Sequence, residues 1–456
     1  MTLVESRHRA TSDPEARKRV LERIGTEQVD FLLLWFTDIE GHLKHFAVTS
    51  SEIEDALNDG MGFDGSSITG FNPIEESDMV AIPDPETFQL MPYTEGDRSK
   101  VARMICDIVT PDGKPYDGDP RYVLRRALER MRGLGFDTFN VGPELEYFLF
   151  KASAGRPETL DEGGYFAMTT LDAATELRQE TIHALESMGI PVEYAHHEVG
   201  PSQHEIDMRF ADALNMADYV LTYRLIVKEL AAKNGVYATF MPKPIFGENG
   251  SGMHTHQSLF ANGRNAFFDP EDAWHLSEAG KAFIAGQLRH AREISAIFAQ
   301  WVNSYKRLVP GYEAPVYVAW SQRNRSALIR IPLYHPGKEQ ATRAEIRCPD
   351  PACNPYLTFA CLLHAGLEGI ERGYELPDPM ETNLYHLTAE QRRERGIVSL
   401  PETLGEAVDE LAGSELARKA LGPHIFDRYV ELKRREWDEY RVQLSEWELE
   451  RYLPTL

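Results

Sequence analysis

The stretch GPELEYFLF, Gly142 to Phe150, decides how this chain is read. In an extended strand residues two apart share a face. Glu144 and Glu146 therefore lie side by side, while Leu145, Tyr147 and Leu149 point the other way. Two carboxylates held that close repel one another unless something cationic sits between them. Taken alone, the pair equally suits a solvated strand edge.

Three further stretches carry ligand-type side chains on strands or strand ends. HHEVGPSQHEID (196–207) offers Glu198 and Glu205 across a Gly-Pro turn. NGSGMHTHQS (249–258) puts His254, His256 and Ser258 on one face and Met253, Thr255 and Gln257 on the other. RAEIRCPD (343–350) puts Glu345 beside Arg347, with Ala344, Ile346 and Cys348 facing a core. Together Glu144, Glu146, Glu198, Glu205, Glu345 and His254 could close around a pair of divalent cations. Two hard cations held by carboxylates are the usual apparatus for handling a nucleoside triphosphate. Zinc fits poorly, because no cysteine and no third histidine lies near His254 and His256. His197–Glu198 is followed by Val, Gly and Pro, so no second histidine arrives one helical turn later, as a zincin helix requires.

Asn249, Gly250 and Gly252 leave backbone N–H groups accessible, which suits an anionic ligand. Arg307, Arg325, Arg330, Lys338, Arg343 and Arg347 follow in quick succession. Guanidinium forks clamp carboxylate and phosphate, although any one of them would also serve a surface ion pair. The chain has no G-x-x-x-x-G-K-[ST] segment, no G-x-S-x-G elbow and no G-x-G-x-x-G turn after a strand. These absences remove the commonest kinase, hydrolase and dehydrogenase readings.

At 456 residues the chain exceeds what one hydrophobic core usually serves. Hydrophobic residues make up 42% and charged residues 26%, ordinary for a globular protein. The net charge of -24 argues against nucleic acid or an anionic membrane as partner. It is tolerable where metal ions neutralise several carboxylates. No apolar run approaches the roughly 20 residues of a membrane span, and the charged N-terminus lacks a signal-peptide core. Cys106, Cys348, Cys353 and Cys361 read as buried free thiols of a cytoplasmic protein.

Residues 1–27 read as a helix or arm. Residues 28–112 read as a small strand-rich domain, with a hairpin at FLLLWFTDIEG and HLKHFAVT and a helix at SSEIEDALNDG stopped by Gly60. TPDGKPYDGDP (110–120) reads as its exit linker. Residues 113–456 mix helices and strands. The expected helices start at Asp119–Pro120, at LDAATELRQETIHALESMG, at ALNMADYVLTYRLIVKELAAKNG and at SEAGKAFIAGQLRHAREISAIFAQWVN. A further one is expected from about Arg428 to Tyr452.

FDGSSI (63–68), GPELEYF, NGSGMHTHQS, KRLVPGYEAP (306–315), NRSALIRIP (324–332) and RAEIRCPDP (343–351) resemble, in order and spacing, bacterial type I glutamine synthetase. The shorter subtype, without the enterobacterial insertion, matches better. The resemblance implies an α+β chain, with a small N-terminal β-grasp domain and a larger catalytic domain built on a curved mixed sheet. It implies a dodecamer of two stacked hexameric rings with active sites between subunits. The implied reaction is ATP-dependent ligation of ammonia to the γ-carboxylate of glutamate through γ-glutamyl phosphate.

By the same resemblance Glu146, Glu198 and Glu205 would hold one Mg2+ or Mn2+ ion, and Glu144, His254 and Glu345 a second. Asn249, Gly250, His254, Arg307 and Arg347 would bind substrate. Glu193, Phe210, His256, Ser258, Lys338 and Arg343 would line the ATP pocket. Arg325 and Arg330 would stabilise the transferring phosphoryl group. Asp64 and Ser67 from a neighbouring subunit, with Tyr165 and Glu313, would receive ammonium. Glu313 would also ride on a flap that keeps water out.

The Glu198–Glu205 spacing is one residue tighter than in the enterobacterial form, and the Lys338–Glu345 stretch is slightly longer. Tyr385 lines up with a tyrosine that is adenylylated in that form, in altered surroundings that favour a plain aromatic anchor. The nearest rival is a relative that joins glutamate to a polyamine or ethanolamine. It would alter Asp64, Ser67 or Tyr165, and all three are present. A non-catalytic scaffold or nitrogen sensor would have lost metal ligands. A metal-dependent phosphohydrolase would not need the arginine set or the flap.

Overall fold

The computed structural model describes residues 14–71, 77–92, 99–168, 172–312 and 314–456. The apolar run FLLLWFT forms strand β1 (Phe31–Thr37), as its aromatic residues favour. It turns back where the Asp38 carboxylate accepts the amides of Glu40 and His42 at 3.0 and 2.9 Å and Gly41 takes a φ of 82°. β2 (Leu43–Thr49) returns antiparallel, with Phe31 opposite Thr49. β3 (Met61–Asp64), β4 (Asp78–Pro83), β5 (Gln89–Leu90) and β6 (Val101–Val109) complete a six-stranded sheet of order β2-β1-β6-β4-β3, with β5 on β6. The helix Ile53–Asp59 stops at Gly60, as expected. The Gly/Pro/Asp-rich stretch after β6 is packed rather than free. Tyr116 is buried, with its ring 5.0 Å from Phe71 and 5.5 Å from His424.

The second sheet has ten strands and is organised around the long β7 (Thr138–Phe150). Its other strands are β8 (Val192–His197), β9 (Gln203–Met208), β10 (Ala211–Asp212), β11 (Tyr237–Thr239), β12 (Met253–Ala261), β13 (Arg264–Asn265), β14 (Tyr317–Ser321), β15 (Ala327–Arg330) and β16 (Ala344–Ile346). The order is β14-β15-β16-β12-β7-β9-β8, with β14 and β15 parallel and the other pairs along that path antiparallel. Leu145, Tyr147 and Leu149 are buried as their alternation predicts. They turn to the helix Ala213–Lys233, whose Tyr223 hydroxyl donates to the Leu145 carbonyl at 3.2 Å. The opposite face carries the polar residues.

Helices follow the expected starts at Asp119, whose carboxylate caps the helix Pro120–Gly133, and at Thr175–Ser187. Two expectations change. The single helix expected across SEAGKAF to QWVN ends at His290, and only Ser295–Phe298 is helical again before the short turn at Ser304–Arg307. In the break, Arg292 is drawn to Glu410 and Ser399, and Ser414 donates to Glu293. The C-terminal helix is two pieces, Pro423–Arg441 and Glu446–Tyr452, the second opened by a Ser445/Glu448 capping box. The buried helix Pro355–Arg372 is not among those expected from the sequence.

The two sheets are locked together by polar contacts. Buried Arg121 reaches Asp84 and Asp107 beside the first sheet and Asp218 on the helix Ala213–Lys233, at 2.7 to 2.9 Å. Asn354 caps the helix Pro355–Arg372 and also donates to the carbonyls of Asp38 and Ile39 at 3.3 and 3.1 Å. Lys433 pairs with Glu40 at 2.7 Å.

Candidate functional site

Register places the polar residues of distant segments in one row. Residues directly opposite in neighbouring strands share a face. Arg330 of β15 lies opposite Glu345 of β16, and Glu345 opposite His256 of β12. His254 lies opposite Glu144 of β7, and Glu144 opposite Asp207 of β9. Glu146 lies opposite Glu205, and Glu205 opposite His196 of β8. Five carboxylates thus meet on one sheet face, with a sixth, Glu198, on the turn after β8.

Within the row, Glu146, Glu198 and Glu205 bring oxygens within 4.8 Å of one another. Burial, then Glu198, push the Glu146 carboxyl well above its ordinary range. Burial, then Asp207 and Glu146, do the same to Glu205. Gln203 Nε2 and the Gly252 amide donate to Glu146 Oε2 at 2.8 and 3.0 Å, too little to offset three like charges. An all-oxygen set that repels itself when ionised is the donor chemistry of a hard divalent cation. These residues fit such an ion.

Next to it, Glu144, His256 and Glu345 form a second set within 4.8 Å. Glu144 bonds His254 Nδ1 at 3.2 Å and His256 Nε2 at 2.8 Å. Burial opposes its charge, yet these hydrogen bonds hold Glu144 well below the usual carboxylate range. Burial also opposes the charge of Glu345, but His256, Arg347, His254 and Arg330 pull it down to about 2. His254 is itself pushed down to about 4 by burial and Arg347, so it is neutral at pH 7. The lasting positive charge beside Glu345 is that of Arg330 and Arg347, both in contact with its carboxylate. His254, expected with Glu144 and Glu345 at the second ion, lies 3.2 Å from Glu144. His256, opposite Glu345 in register, joins the same two carboxylates.

A cavity of about 330 Å³ opens beside this second set. Glu193, Phe210, His256, Ser258 and Arg343 line it, joined by Tyr194 and Asp207. Lys338 does not line it; it is exposed, and Gln340, Ala341 and Thr342 of the following turn line it instead. On the other side is a narrow cleft of about 30 Å³, lined by Asn249, Gly250, His254, Arg307 and Arg347 with Glu146 and Glu198. That volume holds a water and no amino acid. Tyr312 and Ala314 form part of its wall. Arg307 spends its fork on the carbonyls of Arg347, Cys348 and Pro349 at 2.8 to 3.3 Å. A larger cavity of about 660 Å³ lies at the domain joint, beside His42, Trp301 and Tyr440. Among the described residues it contains none of the candidate ligand sets, so size alone does not mark the site.

The family models that match are the glutamine synthetase β-grasp domain over residues 28–111 and the glutamine synthetase catalytic domain over residues 117–452. The chain belongs to the glutamine synthetase family. It is 51% identical to glutamine synthetase of Methanosarcina mazei over 443 residues, covering 96% of this chain and 98% of that one. It is 49% identical to glutamine synthetase of Thermus thermophilus over 444 residues, 96% of this chain and 99% of that one. Among solved structures, GmaS in complex with ADP superposes with a TM-score of 0.86 at 30% identity, covering 95% of this chain and 99% of that chain. Plasmodium falciparum glutamine synthetase also gives 0.86, at 26% identity, covering 95% and 98%. The β-grasp sheet and the curled mixed sheet are the α+β architecture of this family.

The other residues that the glutamine synthetase motifs single out are dispersed. Asp64 and Ser67 are exposed at the end of β3 and line neither the cavity nor the cleft of their own chain. Tyr165 is 49% exposed, stacked on Phe166 at 4.1 Å and edge-on to His196 at 5.5 Å. Arg325 is exposed, near enough to Tyr165 for its charge to act on the phenol. Glu313 lies outside the described residues. Tyr385 is half-buried, and its hydroxyl donates to the Ala314 carbonyl at 2.7 Å, an anchor for the segment beside the cleft. All four cysteines are buried free thiols.

Sequence reasoning did not single out Gln203, Asp207 or His196. Gln203 braces Glu146 and the Gly250 carbonyl, and His196 lies 3.3 Å from Glu205. Asp207 sits two residues beyond Glu205 on the same strand face, and burial and Glu144 push it up to about 7. The alternation in HEID was the available signal for Asp207.

Proposed function

We propose that this chain makes glutamine, joining ammonia to the γ-carboxylate of L-glutamate at the expense of ATP through γ-glutamyl phosphate. Its family is a family of ligases, with curated members about half identical over nearly the whole chain. The observation that carries the reading is the face shared by β7, β9, β12 and β16. There, self-repelling carboxylates separate a cavity suited to a nucleotide from a cleft lined by Asn249 and two arginines.

Glu146, Glu198 and Glu205 would hold one divalent cation, and Glu144, His254 and Glu345 a second. Bound Mg2+ or Mn2+ would offset the charge of the ATP phosphates. Phe210 and Tyr194 offer apolar surface to a base, with Glu193, Ser258 and Arg343 as polar partners. Arg330, with exposed Arg325, would meet the charge that spreads over the transferring phosphoryl oxygens. Asn249, Gly250, His254, Arg307 and Arg347, which line the cleft, would orient the glutamate. Tyr165, together with Asp64 and Ser67 of an adjoining copy, would receive ammonium, and a carboxylate there would take its proton. Glu313 would close the cleft against water, so Glu313→Ala should lose amide synthesis while ATP still binds. A dodecamer of two stacked hexameric rings, in the cytoplasm, completes this reading. No helix among the described residues is long and apolar enough to cross a membrane.

The test is phosphate release from ATP and glutamate with ammonium, putrescine, spermine or ethanolamine as acceptor. Ammonium should support turnover and the larger amines should not. Turnover with a larger amine alone would overturn the choice of acceptor, and no glutamate-dependent turnover would overturn the ligase reading.

A further inference from the structure

His197 follows His196 in β8 and therefore faces the opposite side of the sheet. It is 1% exposed and belongs to neither ligand set above. Its Nδ1 lies 2.7 Å from the Glu198 carbonyl oxygen and its Nε2 3.0 Å from Asp161 Oδ1. Both ring nitrogens thus lie within hydrogen-bond reach of an oxygen, one on each piece of chain.

Asp161 is itself a junction. Its Oδ1 accepts the amide of Ser202 at 2.8 Å and that of Gly163 at 3.3 Å, and its Oδ2 accepts the amide of Ala173 at 3.1 Å. Ser202, at a φ of 58°, answers with its hydroxyl, which accepts the amides of Leu160 and Asp161 at 2.6 and 3.0 Å. The Phe166 amide donates to the His197 carbonyl at 3.0 Å. A Cβ at Gly163 would lie 2.5 Å from His197 Nε2, so any side chain there must push the imidazole aside. One carboxylate and one imidazole therefore clasp two pieces of chain. The segment from Leu160 to Phe166 carries Tyr165, and the turn from His197 to Ser202 carries Glu198.

Resting on the ligase reading of the site, we propose that Asp161 and His197 are positioning residues that fix Tyr165 and Glu198 in one mutual geometry, so that the amine pocket and the first cation set are built together. A buried polar pair that only stapled the core would be replaceable by apolar packing at little cost. This pair differs in that one arm ends on the Glu198 carbonyl and the other on the Gly163 amide, two residues before Tyr165. Partners one shell out from a metal orient its ligands, and their loss weakens metal binding about 10- to 100-fold.

The experiment uses full-length enzyme carrying Asp161→Asn, His197→Gln or both, with Mn2+ as the activating ion. The KM for ammonium and the Mn2+ dissociation constant, measured by calorimetry without substrates, should rise together, each about tenfold or more. The KM for ATP should stay within about twofold. The double variant should be no worse than the poorer single one, because the two residues act through one hydrogen bond. Gly163→Ala keeps both side chains, displaces the imidazole and should give the same split; it decides the matter if Asp161→Asn does not fold. Folded variants with unmoved ammonium and Mn2+ constants, or with all constants including that of ATP shifted in parallel, overturn the coupling. Wild-type enzyme that forms no glutamine from ammonium overturns the ligase reading instead.

Discussion

Glu205 is 5% exposed and faces Asp207, Glu146, Glu144 and Glu198. Such a residue trades stability for a ligand. In the cation-free protein its carboxyl binds its proton more tightly than in the unfolded chain, where the ordinary value is 4.5. Below that value both states are protonated and nothing is lost. As pH rises through and above it, the unfolded chain ionises while the native carboxyl resists, so native stability falls. Glu205→Gln should therefore raise the melting temperature of the chelator-treated protein, by the equivalent of about 1 kcal/mol or more, and by more at pH 8 than at pH 6. The same change should cut glutamine formation about a hundredfold or more. Manganese should protect the wild type more at the higher pH and release protons as it binds, readable by calorimetry in buffers of different ionisation heat. A Glu205→Gln protein that melts lower than wild type without metal would remove this account.

The helices Glu278–His290 and Pro355–Arg372 touch backbone to backbone through two glycines. A Cβ on Gly286 would fall 2.1 Å from the Ala365 carbonyl, and one on Gly369 2.0 Å from that of Ala282. Neither carbonyl can swing aside, so Gly286→Ala should cost about 3 kcal/mol, seen as a lower melting temperature and less soluble protein. The second helix also marks where sequence reading stops. PYLTFACLLHAGLEGIER is buried on nearly every side and so has no polar stripe for periodicity to find. Its Asn354–Pro355 start and its Gly373 stop were the signals available. The β1–β2 hairpin and the Asp119 cap were legible because each is decided within a few residues. The shared face of Glu144 and Glu146 was legible for the same reason. That Glu144 faces Asp207, or Glu345 faces His256, was not, since register between strands far apart in sequence is settled by tertiary packing. The clasp of Asp161 on His197 joins residues 36 positions apart and has no local signature.

In the whole molecule, Asp64 and Ser67 project from the first sheet, outside the cavity and cleft of their own chain. If an adjoining copy supplies them, two damaged chains can mend each other. Asp64→Ala and Glu146→Gln proteins, each inactive alone, should on co-refolding at equal amounts regain activity at about one site in four. No recovery at any ratio would mean that each chain is self-sufficient or that Asp64 has no part. The joint between the sheets bears on this, because Arg121, Asn354 and Lys433 each serve both sides. Asn354 is at once the cap of a catalytic-domain helix and the peg for the Asp38–Ile39 carbonyls, and a Cβ on Gly41 would lie 2.8 Å from its Cα. A chimaera that took its small lobe from a distant relative would thus inherit a mismatched hinge pin. Grafts should succeed only when the residues matching Asp218, Asn354 and Lys433 travel with the lobe, which makes the two halves heritable as a unit and poor candidates for shuffling.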